Sequence, residues 1–172
     1  MIPRTKVNYR IADLLRASIV RESSQARRQA LTESLGQLFG TSQILLTASG
    51  RAALYCLLSC LPQSRVVLPA YTCKAVVEAV LLAGKQPVFA ESEEDGFNMS
   101  PESLKGLLDA DTIIVVTHQF GIPCDIHTML RLARDSGAFV IEDAAASLGS
   151  RVRERLTGTF GDAAFFSFDS SK

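Results

Sequence analysis

Short apolar runs that alternate with helical segments constrain the fold of this chain more than any other feature. Six such runs occupy residues 44–47, 66–68, 87–90, 112–117, 138–141 and 163–168. Runs of this length, bounded by turn signals, are typical of buried parallel strands. Helices are predicted between them at 49–61, 72–83 and 125–136, and a further helix begins with Ser100 and Pro101. The sequence therefore predicts a three-layer α/β/α fold with a mainly parallel sheet.

Two helices are predicted before the first of these runs, at residues 11–20 and 24–39. Ser23 or Ser24 can cap the second helix, and Gly40 can end it. Residues 1–40 hold seven basic side chains against three acidic ones. We interpret residues 1–40 as a mildly basic helical arm and residues 41–172 as the α/β domain.

Composition excludes several classes of protein. The formal net charge is zero, which gives no support for a nucleic-acid partner. No apolar run approaches the length of a membrane span, and the first residues lack the apolar stretch of a secretory signal. The four cysteines form no C-x-x-C pair, and with two histidines they give no metal-ligand spacing. We expect a cytoplasmic protein with no metal site and no membrane segment.

Polar residues follow the last two predicted strands. Asp143 comes after the run at 138–141, while Ser167 and Lys172 lie at the end of the run at 163–168. In open α/β sheets, ligands collect just beyond the carboxyl ends of the strands. Pyridoxal phosphate needs a lysine amine for its Schiff base and an aspartate for its pyridine nitrogen. Asp143 and Lys172 together therefore predict a pyridoxal-phosphate site. Taken alone, each residue is equally consistent with a solvated side chain.

Other polar groups are expected at the same edge of the sheet. Gly50 and Arg51 lie where a predicted strand passes into a helix, so their amides can bind phosphate. The alternative is an ordinary helix cap that uses Ser49. Tyr71 can pack against a flat ring or fill the margin of the core. His118 also follows a strand, and a structural role is the better interpretation for it.

Seven segments, in this order, resemble the DegT/DnrJ/StrS family of pyridoxal-phosphate sugar aminotransferases, which have the aspartate-aminotransferase fold. The segments are SGRAA at 49–53, LPAYT at 68–72, AVLLAG at 79–84, KQPVF at 85–89, HQFGIPCD at 118–125, IEDAA at 141–145, and GDAAFFSF at 161–168, followed by Lys172. The resemblance runs from about residue 40 to the end of the chain. It implies a homodimer whose active site is shared by the two subunits.

The resemblance also implies roles for individual residues. Lys172 is implied to form the Schiff base, and Asp143 to pair with the pyridinium nitrogen. The amides of Gly50 and Arg51 and the hydroxyl of Ser167 are implied to bind the cofactor phosphate. The implied reaction moves an amino group from glutamate or glutamine to a keto sugar attached to a nucleotide.

Three departures from the family pattern stand beside these matches. Ala146 replaces a glutamine or histidine that contacts the phenolic oxygen of the cofactor. Cys73 replaces an aromatic ring over the cofactor, for which Tyr71 can compensate. The chain also ends at Lys172, so about half of a family member is expected to be missing and the 172-residue piece is expected to be inactive.

A non-catalytic remnant or assembly module with the same fold is therefore the alternative. Lys172 argues against a sugar dehydratase, which has histidine at that position.

Overall fold

The computed structural model describes residues 10–12, 15 and 23–168. The chain divides into two compact units, one formed by residues 1–46 and 169–172 and the other by residues 47–168. Most of the predicted helix at 11–20 lies outside the described residues, although residues 11, 12 and 15 are helical. Lys172 also lies outside them.

The described part of the first unit contains helix α1, Ser24–Phe39. The hydroxyl of Ser23 accepts a hydrogen bond from the amide of Ala26 at 3.1 Å, and Gly40 ends the helix with a φ of 68°. The predicted bounds of this helix are therefore confirmed. The predicted strand at 44–47 is wrong, because these residues form no strand and Leu45 is 75% exposed. A short apolar run is not enough to predict a strand, because a strand also needs a neighbouring strand to pair with.

The second unit is built on a five-stranded parallel sheet. Its strands are β1 Arg65–Pro69, β2 Gln86–Ala90, β3 Thr112–Thr117, β4 Phe139–Asp143 and β7 Ala163–Phe165. Their order is β2-β1-β3-β4-β7, and every pair is parallel. A small antiparallel hairpin, β5 Arg151–Val152 and β6 Arg155–Leu156, was not predicted.

Helices cover both faces of the sheet, as the three-layer prediction requires. They are α2 Gly50–Cys60, α3 Lys74–Leu82 and α4 Ile126–Ser136. Leu54 and Val80, from α2 and α3, pack with Ile141 on one face. Met129 of α4 packs with Val140 on the other. None of the helices in the described part of the chain is long and apolar enough to cross a membrane.

Two further predicted elements differ in length from the observed ones. The helix expected after Ser100 is a 3-10 turn of four residues, Pro101–Leu104, and the Ser100 side chain makes no capping hydrogen bond. Strand β7 stops at Phe165, so residues 166–168 lie outside the strand. Strand β4 instead runs on through both of its acidic residues, because Asp143 pairs in register with Thr117 and Phe165 on either side.

Candidate active site

The pleat of β4 sends its two acidic side chains to opposite faces of the sheet. Ile141 packs in the core beneath α2 and α3, whereas Val140 packs in the core beneath α4. Because successive side chains alternate, Asp143 shares the α2 and α3 face, and Glu142 shares the α4 face. Thr117 is the register partner of Asp143 on β3 and therefore lies on the same face as Asp143.

Asp143 is the last residue of β4 and is only 6% exposed. Its Oδ1 accepts a hydrogen bond from the amide of Ala145 at 3.0 Å. The neighbouring Phe165, in register on β7, belongs to the core beneath α2 and α3. The structure therefore puts a buried carboxyl group at the carboxyl edge of the sheet, on the side covered by α2.

Gly50 and Ser167 are brought together by the packing of α2 on the residues that follow β7. A Cβ atom on Gly50 would lie 3.4 Å from Ser167 Cβ and 3.5 Å from the Phe166 carbonyl oxygen. Ser49 caps the same helix, since its hydroxyl accepts from the amide of Ala52 at 3.1 Å. The amides of a first helical turn favour anions, so this junction can hold a phosphate. That role stays a prediction for both residues.

The Arg51 side chain is directed to α3. Its guanidinium contacts the carboxylate of Glu78 at 2.5 Å, and Lys74 contacts the same carboxylate at 3.3 Å. The hydrogen bond from Arg51, followed by that from Lys74, lowers the pKa of Glu78. Only the backbone amide of Arg51 is therefore left for the predicted phosphate site.

Tyr71 lies in an exposed aromatic cluster. Its ring, in a side chain that is 50% exposed, packs against Phe97 at 5.4 Å and Phe120 at 6.1 Å between centroids. Gln119 Nε2 donates to the Tyr71 carbonyl oxygen at 2.7 Å. Of these three rings, the sequence predicts a ligand contact only for Tyr71. Phe120 also follows a strand, β3, and this position is the signal in the sequence that could have identified it.

His118 has the structural role that was predicted. The ring and the side chain of Glu142 are both fully buried, with His118 Nε2 and Glu142 Oε2 3.0 Å apart. The Nδ1 atom accepts a hydrogen bond from the amide of Cys124 at 3.3 Å. Because Nδ1 is an acceptor, Nε2 carries the ring proton and donates a hydrogen bond to the Glu142 carboxylate.

Glu142 ties the segment before β7 to β4. Besides the bond from His118, its oxygens accept amide hydrogen bonds from Gly158 at 2.8 Å, Phe160 at 2.5 Å and Gly161 at 2.7 Å. Burial alone would raise the pKa of Glu142, but these hydrogen bonds outweigh it and the pKa is lowered. Nothing in the sequence pattern distinguishes Glu142 from Asp143 as the acid that accepts these amide hydrogen bonds.

The donor set on the α2 face fits a ligand with a phosphate and a basic ring nitrogen. The amides of the first turn of α2 and the hydroxyl of Ser167 suit the phosphate, and the buried carboxyl group of Asp143 suits a protonated nitrogen. Ala146 and Cys73, the two departures noted in the sequence, are both exposed. Lys172 lies outside the described residues.

The sequence profile of the DegT/DnrJ/EryC1/StrS aminotransferase family matches residues 5–172. The UDP-N-acetyl-3-dehydro-alpha-D-glucosamine 3-aminotransferase of Acidithiobacillus ferrooxidans is 33% identical over 148 residues. That match covers 84% of this chain and 40% of the relative.

Solved structures share the fold. DesI, solved in the presence of its TDP-sugar product, is 27% identical with a TM-score of 0.78 and covers 94% of this chain and 41% of its own. The PLP form of Spr1654 from Streptococcus pneumoniae is 24% identical with a TM-score of 0.76 and covers 94% of this chain and 45% of its own. The chain thus spans less than half the length of each of these proteins.

Proposed function

This chain belongs to the DegT/DnrJ/EryC1/StrS aminotransferase family, and from that premise we propose that the full-length protein is a pyridoxal-phosphate-dependent sugar aminotransferase. It transfers an amino group from glutamate or glutamine to a keto sugar carried by a nucleotide. The observation that carries the proposal is the buried carboxyl group of Asp143 on the sheet face that the first turn of α2 covers. Relatives named for amino transfer to nucleotide-linked sugars support the substrate class.

The phosphate of the cofactor binds at the start of α2. The amides of Gly50 and Arg51 donate to it together with the hydroxyl of Ser167, and the dipole of α2 favours its charge. The close approach of Gly50 to Phe166 and Ser167 supports this assignment. Tyr71, one of the three rings of the exposed aromatic cluster, packs against the cofactor ring in place of the aromatic residue missing at Cys73.

The remaining chemistry needs one acid and one base. When bound, pyridoxal phosphate supplies an electron sink for the carbon next to the substrate nitrogen. Asp143 keeps the ring nitrogen protonated, because a carboxylate next to a basic nitrogen favours its charged form. Lys172 attaches the cofactor through its amine and, once released, moves a proton to and from the substrate carbon.

The organisation of the protein is also proposed. Residues 1–40 form an N-terminal arm, and residues 41–172 form part of the cofactor-binding domain. We propose a cytoplasmic homodimer, because family members share their active site across two subunits. The alternative is a non-catalytic protein that retains the fold.

Adding pyridoxal phosphate to the full-length protein tests the proposal. A visible absorption band is expected in the wild type and in Lys74→Ala, whose side chain is 89% exposed, but not in Lys172→Ala. Asp143→Ala is expected to bind some cofactor but to lose turnover. Survival of the band in Lys172→Ala would contradict the lysine assignment. No band in the wild type would favour the non-catalytic alternative.

A further inference from the structure

Thr117 carries a buried hydroxyl without a hydrogen-bond partner. Its Oγ1 is one of three such side-chain atoms among the described residues, with Gln63 Oε1 and Thr72 Oγ1. The other two belong to residues of intermediate burial, whereas Thr117 is only 8% exposed. A buried hydroxyl without a partner destabilises the fold, and valine would fill the same space without that penalty. The Thr117 hydroxyl is therefore available to form a hydrogen bond with a bound ligand.

The position of Thr117 identifies where that ligand lies. Thr117 ends β3 and pairs in register with Asp143 on β4. Register partners on neighbouring parallel strands are about 4.8 Å apart and share a face. The amide of His118 donates to the Asp143 carbonyl oxygen at 3.2 Å, which fixes this register at the end of the sheet. The free hydroxyl therefore stands beside the carboxyl group proposed to hold the ring nitrogen.

The phosphate site lies on the other side of Asp143. Strand β4 has β3 as one neighbour and β7 as the other. Ser167 follows β7, and Gly50 approaches it there. Across the sheet edge the order is therefore the Thr117 hydroxyl, the Asp143 carboxyl group and the phosphate site.

Pyridoxal phosphate carries its polar groups in the same order. Its phosphate hangs from C5 on one edge of the pyridine ring, its phenolic oxygen is on C3 at the other edge, and the nitrogen lies between these edges. With the nitrogen at Asp143 and the phosphate toward β7, the phenolic oxygen faces β3. We propose that the Thr117 hydroxyl donates a hydrogen bond to the phenolic oxygen of the cofactor. This inference rests on the proposed function.

The test compares two sites on one strand. Thr112 lies at the other end of β3 and is also buried, but its hydroxyl donates to Asp109 Oδ1 at 2.5 Å. Thr112→Val is thus the matched control for Thr117→Val, and Thr117→Ser retains the hydroxyl. Each full-length variant is titrated with pyridoxal phosphate, the visible band is followed against pH, and the melting temperature is measured without cofactor.

Thr117→Val is expected to weaken cofactor binding about tenfold, since a hydrogen bond to a charged acceptor is lost. It is also expected to shift the pH midpoint of the visible band. Without cofactor its melting temperature stays equal to or above that of the wild type, because no hydrogen bond is broken. Thr112→Val is expected to show a lower melting temperature and wild-type affinity for pyridoxal phosphate. Thr117→Ser is expected to keep most of that affinity and the pH midpoint of the visible band.

Two results would overturn the assignment while the proposed function stands. One is wild-type affinity and an unchanged pH midpoint in Thr117→Val. The other is a lower melting temperature or loss of folding in the cofactor-free Thr117→Val protein, which would make the hydroxyl a structural group. Failure of the wild type to bind pyridoxal phosphate would overturn the proposed function, and this inference with it.

Discussion

Replacing Glu142 with glutamine tests whether one buried carboxylate holds the segment before β7. One oxygen accepts from His118 and Gly158, and the other accepts from Phe160 and Gly161. Glutamine keeps the shape of the side chain but turns one acceptor oxygen into an amide donor. Whichever way the amide is oriented, two of the four donors face an NH₂ group.

The expected loss of folding stability follows from the two hydrogen bonds that glutamine cannot accept. Each hydrogen bond to a charged acceptor contributes about 1.5–3 kcal/mol, so Glu142→Gln should lower the free energy of unfolding by about 3–6 kcal/mol at neutral pH. His118 can relieve one clash by taking its other tautomer, but its Nδ1–H would then face the amide of Cys124. Domains are typically stable by about 5–15 kcal/mol, so the loss is a large part of the total.

The effect should depend on pH. The pKa of Glu142 is lowered in the folded protein from its ordinary value of 4.5. A carboxyl group with a lowered folded pKa stabilises the protein above its unfolded pKa, and that contribution is lost as pH falls through the folded pKa. The difference between wild type and Glu142→Gln should therefore be largest near neutral pH and should shrink below about pH 4.5.

Urea unfolding followed by circular dichroism measures the free-energy difference. Amide hydrogen exchange at Gly158, Phe160 and Gly161 shows whether the loss of stability is local, because Glu142 is the acceptor for these three amides. Glu154→Gln is the matched control, since Glu154 is exposed at the turn of the β5–β6 hairpin and a surface change shifts stability by no more than about 0.5 kcal/mol. Equal urea midpoints and unchanged exchange in Glu142→Gln would refute the reasoning.

Two further predictions concern a glycine and a cysteine. Gly158→Ala should lower the melting temperature more than Gly40→Ala. Both glycines have positive φ, but a Cβ at Gly158 would overlap the ring of Phe166, whereas no atom of the described residues lies within 4 Å of a Cβ at Gly40. Equal shifts in thermal unfolding would contradict this. Burial, followed by neighbouring carboxylates, raises the pKa of the Cys124 thiol, so it should react with Ellman's reagent far more slowly than the exposed Cys60. Equal rates would show that Cys124 is accessible.

Much of the fold could be predicted because its signals are local. Strand β3 is six apolar or β-branched residues between Asp111 and His118, and its predicted bounds match the observed ones. Helix α4 begins after Asp125, whose carboxylate caps it, and ends at Gly137 with a φ of 77°. The β5–β6 hairpin was missed because strands of two residues carry no periodic pattern.

The sequence alone determined that polar groups such as Asp143 and Ser167 gather at one edge, because parallel strands joined by helices all end on the same side. It did not determine which acid of β4 faces α2, nor that Thr117 stands beside Asp143. A threonine within an apolar run looks like any β-branched strand residue. Only the pairing of β3 with β4 and the packing of helices on each face decide which side chains are buried together, because both depend on contacts between residues far apart in the chain.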